Sequence, residues 1–327
     1  MSTDLTLPRI FSVGLVCVVS ALVCVAFGSI DLSAGEILEA IRSRDNVHWV
    51  VLSQLRFPRV LVAFMSGALL AMSGCLLQTL LRNPLADPYI FGISSGASLG
   101  VLMSMSFALG VSTLVGGFIG AVIVVVSVAV LSNAGSGWNP YRLILTGVMV
   151  SAGLNAVISL ILVLSPPEMM KGMLFWMMGD LTYAEPRLIS VVMFFVILIF
   201  SIFYGRGLDV LSLGSERARA IGVSVRRMEV AIYVLAAMAS AVVVVEAGAI
   251  GFIGLVVPHM VRMIGVWQHQ KLVPLAAFVG GAMVAIADTL ARSAWAPIQL
   301  PVGAITAILG VPILIYLLNR KDYARGR

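Results

Sequence analysis

Runs of about 20 apolar residues, the length at which an α-helix crosses a hydrocarbon core of roughly 30 Å, recur along the whole of this chain. With 60% apolar and only 11% charged residues, the 327-residue chain lacks the polar surface that a water-facing globule needs. Its solvent is lipid. The expected fold is all-α: a polytopic membrane helical bundle of about ten transmembrane helices, forming a single transmembrane domain over residues 1–327.

Apolar runs between polar breaks place the spans near 9–28, 60–81, 90–109, 113–131, 141–164, 188–205, 228–247, 251–266, 273–290 and 303–319. The eighth is short and carries Pro258, so a kink or an incomplete crossing is expected there. The first run has only Arg9 before it and no small-residue cleavage pattern after it, and reads as a retained span rather than a signal peptide. With the N-terminus inside, about 14 Lys and Arg fall on the inner side against about 7 outside, which makes both termini cytoplasmic. The most basic connection is the inner loop at about 205–227, and the tail adds Arg320, Lys321, Arg325 and Arg327, which suit anionic membrane lipid. Two outer segments, 29–59 and 165–187, are long enough to hold structure. The second has Pro166 and Pro167 ahead of a short helix over 168–178.

Chemistry is excluded as usefully as it is suggested. A phosphate-cradling P-loop needs Gly-Lys-Ser/Thr, yet Lys171, Lys271 and Lys321 follow Met, Gln and Arg, so this chain does not itself hydrolyse ATP. No catalytic set, cofactor or metal site is read from it. Cys17, Cys24 and Cys75 lie in apolar runs without ligand spacing, and His48, His259 and His269 are scattered, each best read as a satisfied structural histidine. Glu229, Glu246 and Asp288 fall near span ends, which weakens an ion-coupled mechanism.

Four constellations stand out. Gly147, Ser151, Asn155 and Ser159 share one helix face at i+4 spacing, to pack against neighbours or to line a water-filled path. Gly92, Gly96 and Gly100 form a small-residue ridge. In the inner loop, Ser215 suits an N-cap, Glu216 a helix start and Gly222 a left-handed stop, with Arg217, Ala218 and Arg219 between them. That two-turn helix either rests at the headgroups or docks into a partner. Arg56 and Arg59 stand at the outer edge of span two, against the positive-inside tendency, and Arg292 on the same side could join them. Lipid phosphate or an acidic extracytoplasmic protein would answer their charge.

Leu55-Arg56-Phe57-Pro58-Arg59, Arg82-Asn83-Pro84-Leu85-Ala86-Asp87-Pro88, Gly92-Ile93-Ser94-Ser95-Gly96-Ala97, Phe175-Trp176-Met177-Met178-Gly179 and Gly251-Phe252-Ile253-Gly254-Leu255-Val256-Val257-Pro258-His259, in this order and spacing, closely resemble the FecCD family of permeases. The resemblance runs from about residue 30 to the C-terminus. It implies a subunit of an ATP-binding-cassette importer in a bacterial inner membrane, paired with a second copy or a paralogue. Two cytoplasmic ATPase subunits would hold ATP and Mg, and an extracytoplasmic binding protein would deliver a ferric siderophore, haem or cobalamin, iron complexes being favoured. It further implies ATPase docking by 208–223, binding-protein docking by Arg56, Arg59 and Arg292, a cytoplasmic gate at Asn83, Pro84 and Leu85, and a pathway along the span holding Asn155. Tyr89-Ile90-Phe91 departs from the smaller residues of many relatives. No nucleic-acid partner is expected; an ion-coupled transporter and a non-transporting assembly subunit are the alternatives.

Overall fold

The computed structural model describes residues 7–30, 32–44, 46–107, 111–133, 139–182 and 184–319. The chain runs α1 (Leu7–Ala26), α2 (Ala34–Arg42), α3 (Val47–Val50), α4 (Phe57–Leu81), α5 (Ile93–Phe107), α6 (Thr113–Asn133), α7 (Pro140–Leu164), α8 (Pro167–Met177), α9 (Leu188–Ser212), α10 (Ser215–Ala220), α11 (Val225–Ala247), α12 (Ile253–Met263), α13 (His269–Ser293) and α14 (Val302–Asn319). Seven described helices are long and apolar enough to cross a membrane, and α5, α12 and α14 are shorter apolar helices. Seven plus three reproduces the ten expected spans in order. The side where α1 begins and α14 ends is called the terminal side below, and the opposite one the far side.

α4 is the axis of the bundle, with every residue from Ser66 to Leu81 buried. A helix that is apolar around most of its circumference is buried on all sides, here by α9, α11, α12 and α13. Without a hydrophobic force between helices in lipid, close approach has to come from small residues. A Cβ on Gly67 would lie 2.1 Å from the Gly280 carbonyl oxygen of α13, and one on Gly74 would lie 1.9 Å from that of Gly254 in α12. The α5–α6 seam repeats the device: Gly96 faces Gly120 and Gly100 faces Gly116. Gly92 does not extend that ridge. It ends a 3-10 turn (Pro88–Phe91) at φ 79° and faces Gly147 and Ser151 of α7 instead.

Three boundaries differ from the sequence reading. The helical stretch of span two starts at Val47, since a π-helical turn (Val51–Arg56) joins α3 to α4. Pro58 supplies no N–H there, and the N–H of Phe57 reaches back five residues to the Leu52 carbonyl. α9 runs on to Ser212, which shortens the basic loop to 213–224. α12 is only 11 residues long and begins inside the bundle, where Gly254 packs on Pro88 and on Leu70 and Gly74 of α4. The 3-10 turn meets it there: Phe91 packs edge-on against Tyr233, about 12 Å along α11 from Val225.

Replacing Gly74 by Val should therefore cost about 3 kcal/mol or more, because the Gly254 backbone of α12 blocks the added carbons. Gly153→Ala, with nothing within 4 Å, serves as the neutral control. Thermal aggregation of the two detergent-solubilised variants checks this.

Candidate translocation and coupling site

On the far side, the C-terminal carbonyls of α1 have no helical partner and would lie unpaired at the membrane edge. Arginines meet them. Nη1 of Arg56 donates to the Ala26 carbonyl at 2.6 Å and to that of Val25 at 3.4 Å, and Nη2 donates to that of Ile30. Nη2 of Arg292 donates to the Cys24 carbonyl at 2.7 Å. The negative end of the helix dipole reinforces both contacts. Asp288, fully buried, compensates the charge: Arg59 grips it with Nε and Nη2 at 3.0 and 2.8 Å, and Nε of Arg292 stands 3.6 Å away. Arg59 also donates to Gln299 at 3.2 Å, which accepts from Thr182 at 3.0 Å. The three arginines expected to form a docking patch do converge, but they face inward. Arg56 is 4% exposed and Arg292 5%, and together with Arg59 they tie α1, α4 and α13.

Beside the last turn of α4, Pro258 lacks the N–H that would bond the Gly254 carbonyl. Nε2 of Gln78 donates there at 3.4 Å and to the Leu255 carbonyl at 3.2 Å, while Oε1 of Gln78 accepts from Nη1 of Arg262. The hydroxyl of Tyr89 accepts from the N–H of Ile250 at 3.2 Å, which joins the two non-helical segments that enter the bundle. Between this junction and the terminal side lies the turn holding Asn83, Pro84 and Leu85. Oδ1 of Asn83 accepts from the Leu85 N–H at 2.9 Å, its carbonyl accepts from Ala86 at 3.1 Å, and Leu85 is exposed.

The stripe on α7 divides. Gly147 is buried, since a Cβ there would come within 2.7 Å of the Phe91 Cα, and Ser151 lies against Gly92. Asn155 and Ser159 are exposed; Oδ1 of Asn155 accepts from Ser95 at 3.0 Å, and Ser159 donates to the Asn155 carbonyl at 2.9 Å. One half packs and the other half is open.

On the terminal side, α10 stands between α9 and α11. Ser215 is not its N-cap: Gly214, at φ 129° and ψ 145°, takes that position with a backbone that only glycine reaches easily. Gly222 does stop the helix in the left-handed region, at φ 87°. The N–H of Val223 bonds the Ala218 carbonyl at 2.9 Å and that of Gly222 bonds Arg219 at 3.0 Å, the paired closure of a Schellman end. Ala218 is buried, whereas Glu216, Arg217 and Arg219 are exposed. Freed from capping, the Ser215 hydroxyl accepts from Nη2 of Arg82 and donates to Glu229 at 3.4 Å.

Sequence reading missed several of these partners. Asp209 accepts the N–H of His269 at 2.9 Å and its Nδ1–H at 2.6 Å, and Nε2 of His269 meets Thr79 at 2.7 Å, which ties α9, α13 and α4. The signal for Gln78 was Pro258, which announces a free carbonyl four residues back. Asp209 and His269 carried no local signal.

A bundle of ten apolar helices with an uncharged polar stripe and a capped surface helix on one side is that of an integral-membrane transport permease. The comparisons narrow this further. The chain belongs to the FecCD transport family, whose model matches residues 16–320. It is 37% identical over 293 residues to the hemin transport system permease protein HmuU of Yersinia pestis, covering 87% of each chain. It is also 37% identical to the cobalamin import system permease protein BtuC of Halobacterium salinarum over 282 residues, 84% of this chain and 74% of the relative. A metal-chelate type ABC transporter solved in an inward-facing conformation superposes with a TM-score of 0.84 at 30% identity, covering 95% of this chain and 98% of the other.

Asp288→Asn would leave the Arg59 and Arg292 guanidiniums without their carboxylate. Breaking a buried pair in this way should cost about 3–5 kcal/mol, read as a large fall in thermal stability in detergent.

Proposed function

We propose that this chain is the membrane-spanning permease subunit of an ATP-binding-cassette importer for a metal-chelate nutrient: an iron complex such as a ferric siderophore or haem, or cobalamin. The observation that carries the reading is the open half of α7, where Asn155 and Ser159 offer hydrogen-bonding groups without charge. A wall that wets cargo but does not hold it by ion pairs lets a large chelate leave again. Equal identity to a haemin and a cobalamin permease supports the substrate class and leaves its member to experiment.

In this reading the terminal side faces the cytoplasm of a bacterial inner membrane. Two ATPase subunits, which bring ATP and Mg, dock on α10 through Arg217 and Arg219, and a second permease copy or a paralogue covers the open face of α7. An extracytoplasmic binding protein meets the far side, where the cluster of Arg56, Arg59 and Arg292 attracts acidic groups through its field rather than by direct contact. The turn at Asn83, Pro84 and Leu85 gates the cytoplasmic exit. An ion-coupled transporter is the weaker alternative, because Glu229, Glu246 and Asp288 lie within about two turns of their helix ends.

Uptake of haemin, ferric dicitrate and cobalamin into cells expressing the complete system tests this directly. Uptake of one of the three should stop on ATP depletion and survive a proton uncoupler; the reverse pattern selects the ion-coupled alternative.

A second test addresses docking. Gly222→Val places a β-branched residue at positive φ, at about 1–2 kcal/mol, and Arg217→Glu reverses an exposed charge. The double variant should insert normally and lose ATPase association by co-purification. Normal assembly with normal uptake would exclude α10 as the coupling element.

A further inference from the structure

We infer that Arg82 is a positioning residue that ties α10 to the turn at 83–86, so that displacement of α10 moves that turn without passing through the rest of the bundle. The inference rests on the permease reading above and assigns it a connecting link. Arg82 is fixed at its backbone: it closes α4 in the left-handed region at φ 48°, with its N–H on the Gln78 and Thr79 carbonyls. The next residue is Asn83. The Arg82 side chain leaves α4 for two other elements, donating to the Ser215 hydroxyl at the first position of α10 and standing 3.9 Å from the Glu229 carboxylate in the second turn of α11.

Glu229 is only 6% exposed, and a carboxylate so placed is strongly unfavourable without a cation. That holds Arg82 in place although its own side chain is 39% exposed. α10 itself is loosely mounted. Gly214 and Gly222 flank it at φ 129° and 87°, and a Cβ on either would touch nothing within 4 Å. Two unconfined glycines are suited to act as hinges. Glu216, Arg217 and Arg219 are exposed, Arg219 remaining within electrostatic reach of Glu229, and the close side-chain contacts joining α10 to the body are Ala218, by packing, and Ser215, by its two hydrogen bonds. A hinged helix held by one polar bridge transmits its movement along that bridge. Here the bridge ends one residue before the turn.

The test uses the assembled complex with its ATPase, carrying Leu85→Cys after Cys17, Cys24 and Cys75 are changed to Ser. The labelling rate of the Leu85→Cys thiol by a hydrophilic maleimide is compared without nucleotide and with trapped ATP. In the Arg82 parent, nucleotide should change that rate. Arg82→Gln should shrink the nucleotide response by about tenfold while ATPase association persists, and the exchange Arg82→Glu with Glu229→Arg should restore most of it. Ser215→Ala, which removes only the bridging hydroxyl, should weaken the response in the same direction and serves if a charge variant does not fold. A full nucleotide response in Arg82→Gln or in Ser215→Ala, or loss that the exchange does not restore, overturns the inference. A parent complex with no ATPase association and no nucleotide response instead overturns the permease reading itself.

Discussion

Inside a hydrocarbon layer there is no water to take the hydrogen bonds that a peptide group fails to make, and each unsatisfied group costs several kcal/mol. Within a helix this demand is met automatically, so polar side chains gather where helices end or break inside the bundle. The C-terminal carbonyls of α1 draw in Arg56 and Arg292, and those charges in turn require Asp288. The carbonyl released by Pro258 draws in Gln78, whose own amide oxygen is answered by Arg262. The N–H of Ile250, outside any helix, finds the Tyr89 hydroxyl. The buried arginines, Asp288 and Gln78 are thus a consequence of backbone interruptions, while Ser73 and Ser240 pair in the middle of α4 and α11.

The same medium explains the seams. Apolar side chains gain nothing by leaving lipid for one another, so helix association depends on van der Waals contact over surfaces that fit closely. Gly67 on Gly280, Gly74 on Gly254 and Gly100 on Gly116 bring backbones together with no room for a methyl group. Seams this tight move as units and do not bend. Flexible joints must then lie elsewhere, and the uncrowded glycines on either side of α10 are such joints.

The spans were legible because most are apolar runs longer than a soluble core helix requires, the seven long helices above all. Their limits were less so. Ser53, Gln54 and Arg56 fell in the polar outer segment 29–59, yet they continue the helix of span two, and Arg56 faces α1, whose carbonyls accept from it. Gly222 was readable as a stop because a positive φ has few alternatives. Ser215 was misread because the neighbouring Gly214 could cap as well, which freed the hydroxyl for Arg82. The partner of the arginines was not legible, for Asp288 lies 229 residues from Arg59 and nothing local announces it. The spacing of Gly147, Ser151, Asn155 and Ser159 defined one face correctly. It could not say that the 3-10 turn before Gly92 would cover the first half of that face.

The last turn of α4 draws these threads together. Gln78 reaches α12, Thr79 reaches α13 and, through His269, Asp209 of α9, and Arg82 reaches α10 and α11. Five elements thus meet side chains from a single helical turn, on the helix that is the most completely wrapped in the bundle. Because α4 packs backbone to backbone on α12 at Gly74, and Gly254 packs on Pro88, this turn, α12 and the 3-10 segment are joined without soft side chains between them. The segment between Arg82 and Pro88 is too short to take up slack, being folded by the Asn83 and Asp87 side chains onto their own following amides. Rigid seams on one side of this turn and uncrowded glycines on the other thus meet at a single crowded stretch of α4.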